Sequence, residues 1–363
     1  MTAVPITFTG PHRGSRGAPV QSIADPSMGS EIMPTVGGLV DRFGRAHDDL
    51  RISVTDRCNL RCTYCMPEDG MEFLPRSEVL SFDEIVRVAT VARSLGISSI
   101  RITGGEPLVR KGIADLVGRL AALGFDDLAL TTNGMLLADQ VDALAGAGLR
   151  RVNVSCDSLR PERFATIRRR GELSTVMTAM KLAEDVGLTP LKVNVVLLRG
   201  QNDDEIIDFA HFARETGRVV RFIEFMPLDA QGQWGREQLV PGQEVFDRIS
   251  AVWPLAPAGE VGGPAPAERF RFVDGRGEIG LISSVTQPFC GTCNRLRLTA
   301  DGSVRNCLFS DDEHELRDLL RHGGTDADLE FHLRAAVWDK LPGHGINDPG
   351  FLRPVRSMSM IGG

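Results

Sequence analysis

Between residues 50 and 225, short apolar runs alternate with stretches of helical spacing six times, and no other feature restricts the fold as much. The runs fall at 50–55, 98–103, 127–131, 151–155, 191–197 and 219–225. Their length and their content of Val, Ile and Leu predict strands. Between them, Ser81-x-x-Glu84 is a capping box opening a helix with Ile85, Val88, Ala89 and Ala92 on one face. A second apolar stripe runs through Ile113, Leu116, Val117, Leu120 and Leu123 and is closed by Gly124. Further helices are expected at 141–147, 174–186 and 203–216, the last ended by Gly217. Strands separated by helices pair in parallel through right-handed crossovers. Six such units suit an incomplete barrel, but an open doubly wound sheet gives the same pattern.

Beyond residue 253 the texture changes. Pro254, Pro257, Pro264 and Pro266 with Gly259, Gly262 and Gly263 mark a linker. The pairs 268–273/278–285 around Asp274-Gly275 and 295–299/303–307 around Asp301-Gly302 read as hairpins. A helical stretch is expected over 312–341. At the other end, Pro5, Pro11, Pro19, Pro26 and Pro34 among glycines and serines predict a disordered extension over 1–45. The expected division is therefore 1–45, a barrel over 46–253 and a C-terminal region over 254–363. With 42% hydrophobic and 25% charged residues, the composition is that of an ordinary soluble protein. A net charge of −7 argues against a nucleic-acid partner, though not against a small anion held by local arginines. No apolar run reaches the ~18 residues needed to span a membrane.

Seven cysteines are present, and six fall into two groups of three. That grouping suits metal binding in a reducing compartment, the cytoplasm, better than a disulfide framework. Cys58, Cys62 and Cys65 form C-x3-C-x2-C directly after the first strand. Thiolates on a short loop can converge on an iron–sulfur cube, and three ligands for four irons leave one iron open to a cofactor or substrate. A structural zinc would need a fourth ligand, and no further Cys or His lies nearby. Cys290, Cys293 and Cys307 form the second group, whose spacing fits either another cluster or a zinc with a remote ligand such as His314. Cys156, at the end of the fourth strand, reads as a small core residue.

Active sites of parallel α/β barrels gather at the C-terminal ends of strands. There the sequence places the cysteine loop, Thr103-Gly104-Gly105-Glu106-Pro107, Thr131-Thr132-Asn133-Gly134, Ser155-Cys156-Asp157 and Glu224-Phe225-Met226-Pro227. Arg295 and Arg297 share one strand face by alternation. Arg51, Arg101, Lys192 and Arg221 also lie in strands. Charges turned inward in a barrel need a counter-ion, and guanidinium groups match phosphate oxygens.

The segments TDRCNLRCTYCMP, RITGGEPLVRK, LTTNG, VNVSCDSL, KVNVV, RFIEFMP, FCGTCNRLRLTADG and the terminal Gly-Gly resemble a known family. It is the GTP 3′,8-cyclase family of molybdenum cofactor biosynthesis, within the radical S-adenosylmethionine (SAM) superfamily. The resemblance runs from about Leu50 to Gly363. It implies an α/β fold, an incomplete (βα)6 parallel barrel of radical SAM type, with a hairpin-rich C-terminal region carrying a second cluster. Two 4Fe–4S clusters are implied, on Cys58, Cys62 and Cys65 and on Cys290, Cys293 and Cys307. SAM contacts are implied at Tyr64, Gly105, Ser155 and Met226, and GTP contacts at Arg51, Arg101, Thr131, Lys192, Arg295, Leu296 and Arg297. Arg295, Arg297, Gly362 and Gly363 carry an implied catalytic part, with the tail anchored in the site by Met358 and Met360.

The activity implied is a lyase reaction. A 5′-deoxyadenosyl radical from SAM takes hydrogen from C3′ of the GTP ribose. The product is (8S)-3′,8-cyclo-7,8-dihydroguanosine 5′-triphosphate. Implied partners are GTP, a one-electron reductant, the next enzyme of the pathway (cyclic pyranopterin monophosphate synthase) and a second copy in a homodimer, with neither nucleic acid nor membrane.

Overall fold

The strand–helix alternation is realised in order. In the computed structural model, which describes residues 32–259 and 263–362, β1 (Asp49–Ser53) leads to α1 (Phe82–Ser94) and β2 (Ser99–Thr103). Then come α2 (Ile113–Ala122), β3 (Asp127–Thr132), α3 (Val141–Gly146) and β4 (Arg151–Ser155). Two helices follow, α4 (Pro161–Arg168) and α5 (Leu173–Asp185), before β5 (Lys192–Leu197), α6 (Ile206–Thr216), β6 (Val219–Glu224) and α7 (Gly242–Ser250). The capping box at α1 is present in both directions. Ser81 Oγ accepts from the Glu84 amide at 3.1 Å, and Glu84 accepts from the Ser81 amide at 2.5 Å.

The C-terminal region adds β7 (Leu255–Pro257), β8 (Glu268–Phe272), β9 (Glu278–Ile282), β10 (Arg295–Leu298), β11 (Ser303–Arg305) and β12 (His314–Glu315). It closes with α8 (Arg317–Arg321), α9 (Asp326–Trp338) and the short α10 (Met358–Ile361). All strands join one sheet in the order β12-β11-β10-β1-β2-β3-β4-β5-β6-β9-β8-β7. The two predicted hairpins form, and each lends its inner strand to the parallel sheet: β10 runs parallel to β1, and β9 parallel to β6. The regions 46–253 and 254–363 thus share a sheet that stays open at both edges.

Alternation divides the two faces. Leu50, Ile52, Ile100, Ile102, Leu128, Leu130, Val152, Val154, Val193 and Val195 belong to a single apolar core with the helices. Leu296 and Leu298 of β10 join it. The other face carries Arg51, Arg101, Thr131, Asn194, Arg221 and Arg297, which look into a cavity.

Several expectations are corrected. The helix foreseen over 312–341 is broken at Gly323-Gly324, because Gly323 has φ +86° and a Cβ on Gly324 would stand 2.7 Å from the Leu319 carbonyl. The linker over 254–266 contains a strand, β7, paired to β8. Part of the expected disordered extension is folded: Leu39 is buried in the core, and its amide donates to Leu95 O at 3.1 Å. Residues 1–31 lie outside the described residues. Among the described residues, no helix is long and apolar enough to cross a membrane.

Candidate functional site

The C-terminal ends of the strands open into one cavity of about 350 Å³. Both cysteine groups line it. Cys58, Cys62 and Cys65 lie on the loop after β1, which is fastened to α4: the Arg61 and Thr63 amides donate to Arg168 O and Ile167 O at 3.2 and 2.9 Å. The Thr55–Arg57 backbone beneath it explains the paired glycines after β2. A Cβ on Gly104 would stand 2.6 Å from Thr55 O, and one on Gly105 2.5 Å from Arg57 O. These glycines therefore admit another strand's loop rather than serving only a ligand.

The thiols of each group feel one another electrostatically, Cys65 with Cys62 and Cys58, and Cys290 with Cys307 and Cys293. His314, the remote zinc ligand considered, faces Asp339 at 3.3 Å and is absent from the cavity wall. The donor sets fit iron–sulfur clusters.

The two groups sit in different electrostatic settings. Burial raises the Cys58 thiol to about 11 and also raises Cys62 and Cys65. Arg168 stands 3.4 Å from Cys62 Sγ, but Asp157 neutralises it at 2.8 Å and also accepts from Tyr64 Oη at 2.8 Å. At Cys293 burial also pushes upward, but Arg295 and then Lys340 outweigh it, and the thiol falls to about 6. Arg295 Nη2 and Lys340 Nζ lie 3.1 and 3.2 Å from that sulfur.

Between the cysteine groups lies a row of like charges. Register sets Arg51 opposite Arg101 on one side and Arg297 on the other, so three guanidinium groups share one level of three adjacent strands. Each is less than a tenth exposed. The carboxylate nearest Arg51 is Asp49, at 3.9 Å. The Nε atoms of Arg51, Arg101 and Arg221 are buried without hydrogen-bond partners. Burial, and then neighbouring arginines, hold Arg51 well below its usual range and bring Arg221 to about 9 and Arg297 to about 10. Such a row is unfavourable unless an anion lies across it.

Of the expected SAM contacts, Tyr64, Gly105, Ser155 and Met226 all line the cavity. Of the expected GTP contacts, Arg51, Arg101, Thr131, Arg295 and Arg297 do so. Lys192 lies one residue pair deeper than the wall residue Asn194, at the base of the same face, where burial and then Arg151 lower it to about 7. The Leu296 side chain is a correction: it falls between two inward arginines and is wholly buried in the opposite, apolar core.

The tail enters the site. Gly362 O accepts from Arg297 Nη1 at 2.6 Å, and a Cβ on Gly362 would lie 2.8 Å from Ser53 Cβ. Its anchors are Met358 and Ile361, packed with Leu228, Val285 and Phe309; Met360 belongs to neither core. Gly363 lies outside the described residues.

Sequence reasoning missed Arg168, Lys340 and Arg45, and placed Asp157 at a strand end without giving it a role. Arg168 sits on α4, whose charged sequence hides its amphipathicity. Arg45 pairs with Asp41 at 2.5 Å and donates to Cys290 O, Leu341 O and Pro342 O at 2.8, 2.7 and 3.1 Å. Only Asp157 carried a signal, its place at a strand end.

A three-cysteine loop after the first strand of an open parallel sheet, facing an inward cavity lined by arginines, defines a radical SAM fold. Residues 52–213 match the Radical SAM superfamily profile, and residues 218–346 match Molybdenum Cofactor Synthesis C. Among solved structures, SuiB of Streptococcus suis shares this fold at TM-score 0.57 and 14% identity, over 82% of this chain and 67% of that one. Native anSMEcpe with bound AdoMet does so at TM-score 0.53 and 16% identity, over 82% of each chain. A Corynebacterium glutamicum protein named GTP 3′,8-cyclase is 45% identical over the whole of both chains. One of the same name from Streptomyces coelicolor is 48% identical over 90% of this chain and 96% of its own. The chain belongs to the GTP 3′,8-cyclase family.

Proposed function

We propose that this protein converts GTP to (8S)-3′,8-cyclo-7,8-dihydroguanosine 5′-triphosphate, the first step of molybdenum cofactor biosynthesis. The observation that carries this reading is the buried arginine row lying between two cysteine groups in one cavity. Cys58, Cys62 and Cys65 would hold one 4Fe–4S cluster, and Cys290, Cys293 and Cys307 another. Bound together, the first cluster and SAM supply the one-electron chemistry that starts removal of the ribose C3′ hydrogen.

This chain's own residues do the positioning. Tyr64, Gly105, Ser155 and Met226 bound the end of the cavity next to the first cysteine group and would hold SAM there. Arg51, Arg101 and Arg297 would bind the triphosphate bidentately and settle its position along the strands. Lys192 and Arg221 add charge from the base of the face. Arg295 and the backbone at Gly362 narrow the remaining space, orienting the ribose and keeping water out. Two groups of three cysteines serving as metal ligands suit a reducing compartment, the cytoplasm, better than a disulfide framework. A one-electron reductant and the enzyme that takes the cyclised nucleotide complete the expected partners.

Anaerobic incubation of reconstituted protein with SAM, dithionite and GTP tests the reading. 5′-Deoxyadenosine should form only when GTP is present, together with the cyclised nucleotide, in protein carrying about eight irons per chain. Replacing Cys290, Cys293 and Cys307 should leave about four. GTP-independent cleavage with no nucleotide product would overturn it.

A further inference from the structure

We infer that Lys340 raises the reduction potential of the second cysteine site by placing an unneutralised cation on the Cys293 sulfur. This rests on the reading that Cys290, Cys293 and Cys307 hold a cluster. Lys340 lies just beyond α9 and is only 3% exposed. Its ammonium group is 3.2 Å from Cys293 Sγ and donates to Arg295 O at 2.9 Å. Arg295 brings a second cation to the same sulfur, through Nε at 3.4 Å and Nη2 at 3.1 Å. Among the described residues, neither Lys340 nor Arg295 forms an ion pair with a carboxylate.

The first site is built differently. Among the described residues, the cation hydrogen-bonded to a sulfur there, Arg168, is paired with Asp157 at 2.8 Å, and buried Glu106 also acts on Cys58. Charge there is close to balanced, whereas around Cys293 it is strongly positive.

One-electron reduction adds a single negative charge to a cluster. The electron comes from an external one-electron donor, and no bond or ligand changes. Cations and hydrogen bonds at the sulfurs favour the reduced form, and burial prevents water from screening them. The distribution of charge therefore makes the second site the easier of the two to reduce, and Lys340 is the side chain that supplies this without being part of the arginine row. It acts through Cys293 and is a positioning residue, not a catalytic one.

The test is an anaerobic redox titration of the reconstituted full-length protein with dithionite, followed by electron paramagnetic resonance, with iron counted in each sample. A parallel sample lacking Cys58, Cys62 and Cys65 assigns the signals. In Lys340→Met and Lys340→Gln the reduced-to-oxidised ratio of the second site at fixed poise should fall at least tenfold, about 59 mV for a one-electron couple. The first site should not move, and Lys340→Arg should restore the wild-type value. If Lys340→Met fails to hold the second cluster, Lys340→Gln decides, because its amide keeps a donor while removing the charge. An unmoved midpoint in Lys340→Gln with full iron overturns the inference. Failure of the underlying cluster reading looks different: wild-type protein would then show about four irons and no second signal.

Discussion

Replacing Arg51 by Met should stabilise the ligand-free protein while weakening its hold on GTP. Arg51 stands between Arg101 and Arg297 at one register level. Neighbouring strands are about 4.8 Å apart. With about 6 Å between guanidinium centres and an effective dielectric of ~20, each like-charge pair costs about 3 kcal/mol. Asp49 at 3.9 Å and water in the open cavity offset part of this. A net gain of about 1–4 kcal/mol on removing the middle charge agrees with other replacements of buried charge by apolar side chains. The cavity also spares the shorter methionine the usual penalty of an interior void. With GTP bound the sign reverses: losing a desolvated contact costs roughly 2–5 kcal/mol. That is about 30- to 4,000-fold in Kd. Anaerobic melting curves with and without GTP, SAM omitted, read both effects, and titration calorimetry gives the affinity. A variant that melts below wild type and keeps the full GTP-induced shift would refute the opposed-charge account.

Other consequences can be measured in the same way. Asp157→Ala strands Arg168 as a buried cation and should cost about 3–5 kcal/mol, with partial recovery when Arg168→Met is added; a melting temperature within error of wild type would count against the pair. Burial raises Glu106 from 4.5 to about 7, despite the hydrogen bonds it accepts from Asn133, Thr132 and Leu108. Its folded value lies above its unfolded one, so it contributes roughly 3 kcal/mol below pH ~4.5 that is lost as pH rises to ~7. Urea titrations near pH ~5 and ~8 should show that slope in wild type and lose it in Glu106→Gln; identical slopes would contradict it. Gly362→Ala puts a Cβ 2.8 Å from Ser53 Cβ and 3.0 Å from Thr103 Cγ2 at φ +80°. Iron content should stay intact while GTP turnover drops at least tenfold, or about 1.4 kcal/mol in the barrier; undiminished turnover would remove the tail from the site.

The parallel core and the cysteine loops were legible because each is a local pattern. A strand shows itself in five or six residues, and Cys58, Cys62 and Cys65 fall within eight. Alternation put Arg295 and Arg297 on one strand face. What the sequence hid depends on partners distant along the chain. Nothing in RLRL announces that β10 will lie parallel to β1, yet that pairing alone puts Arg297 beside Arg51. Arg168 was invisible because α4 buries an arginine, with Phe164 and Ile167, in a segment of low apolar contrast. Lys340 and Arg45 lie outside any periodic element, and carbonyl and thiol acceptors far along the chain hold them.

The pairing of β1 also imposes an order on biosynthesis. One neighbour, β2, emerges from the ribosome soon after β1; the other, β10, exists only once synthesis has reached Leu298. Until then the nascent sheet has a bare edge beside the loop of Cys58, Cys62 and Cys65, and bare edges invite wrong partners. Iron delivered to that loop early would sit beside an unsealed seam, within reach of oxygen. Iron for Cys290, Cys293 and Cys307 has to come later, since the strand after Cys293 is the one that seals the seam. That edge therefore stays unpaired while residues 66–298, nearly two thirds of the chain, are still being made.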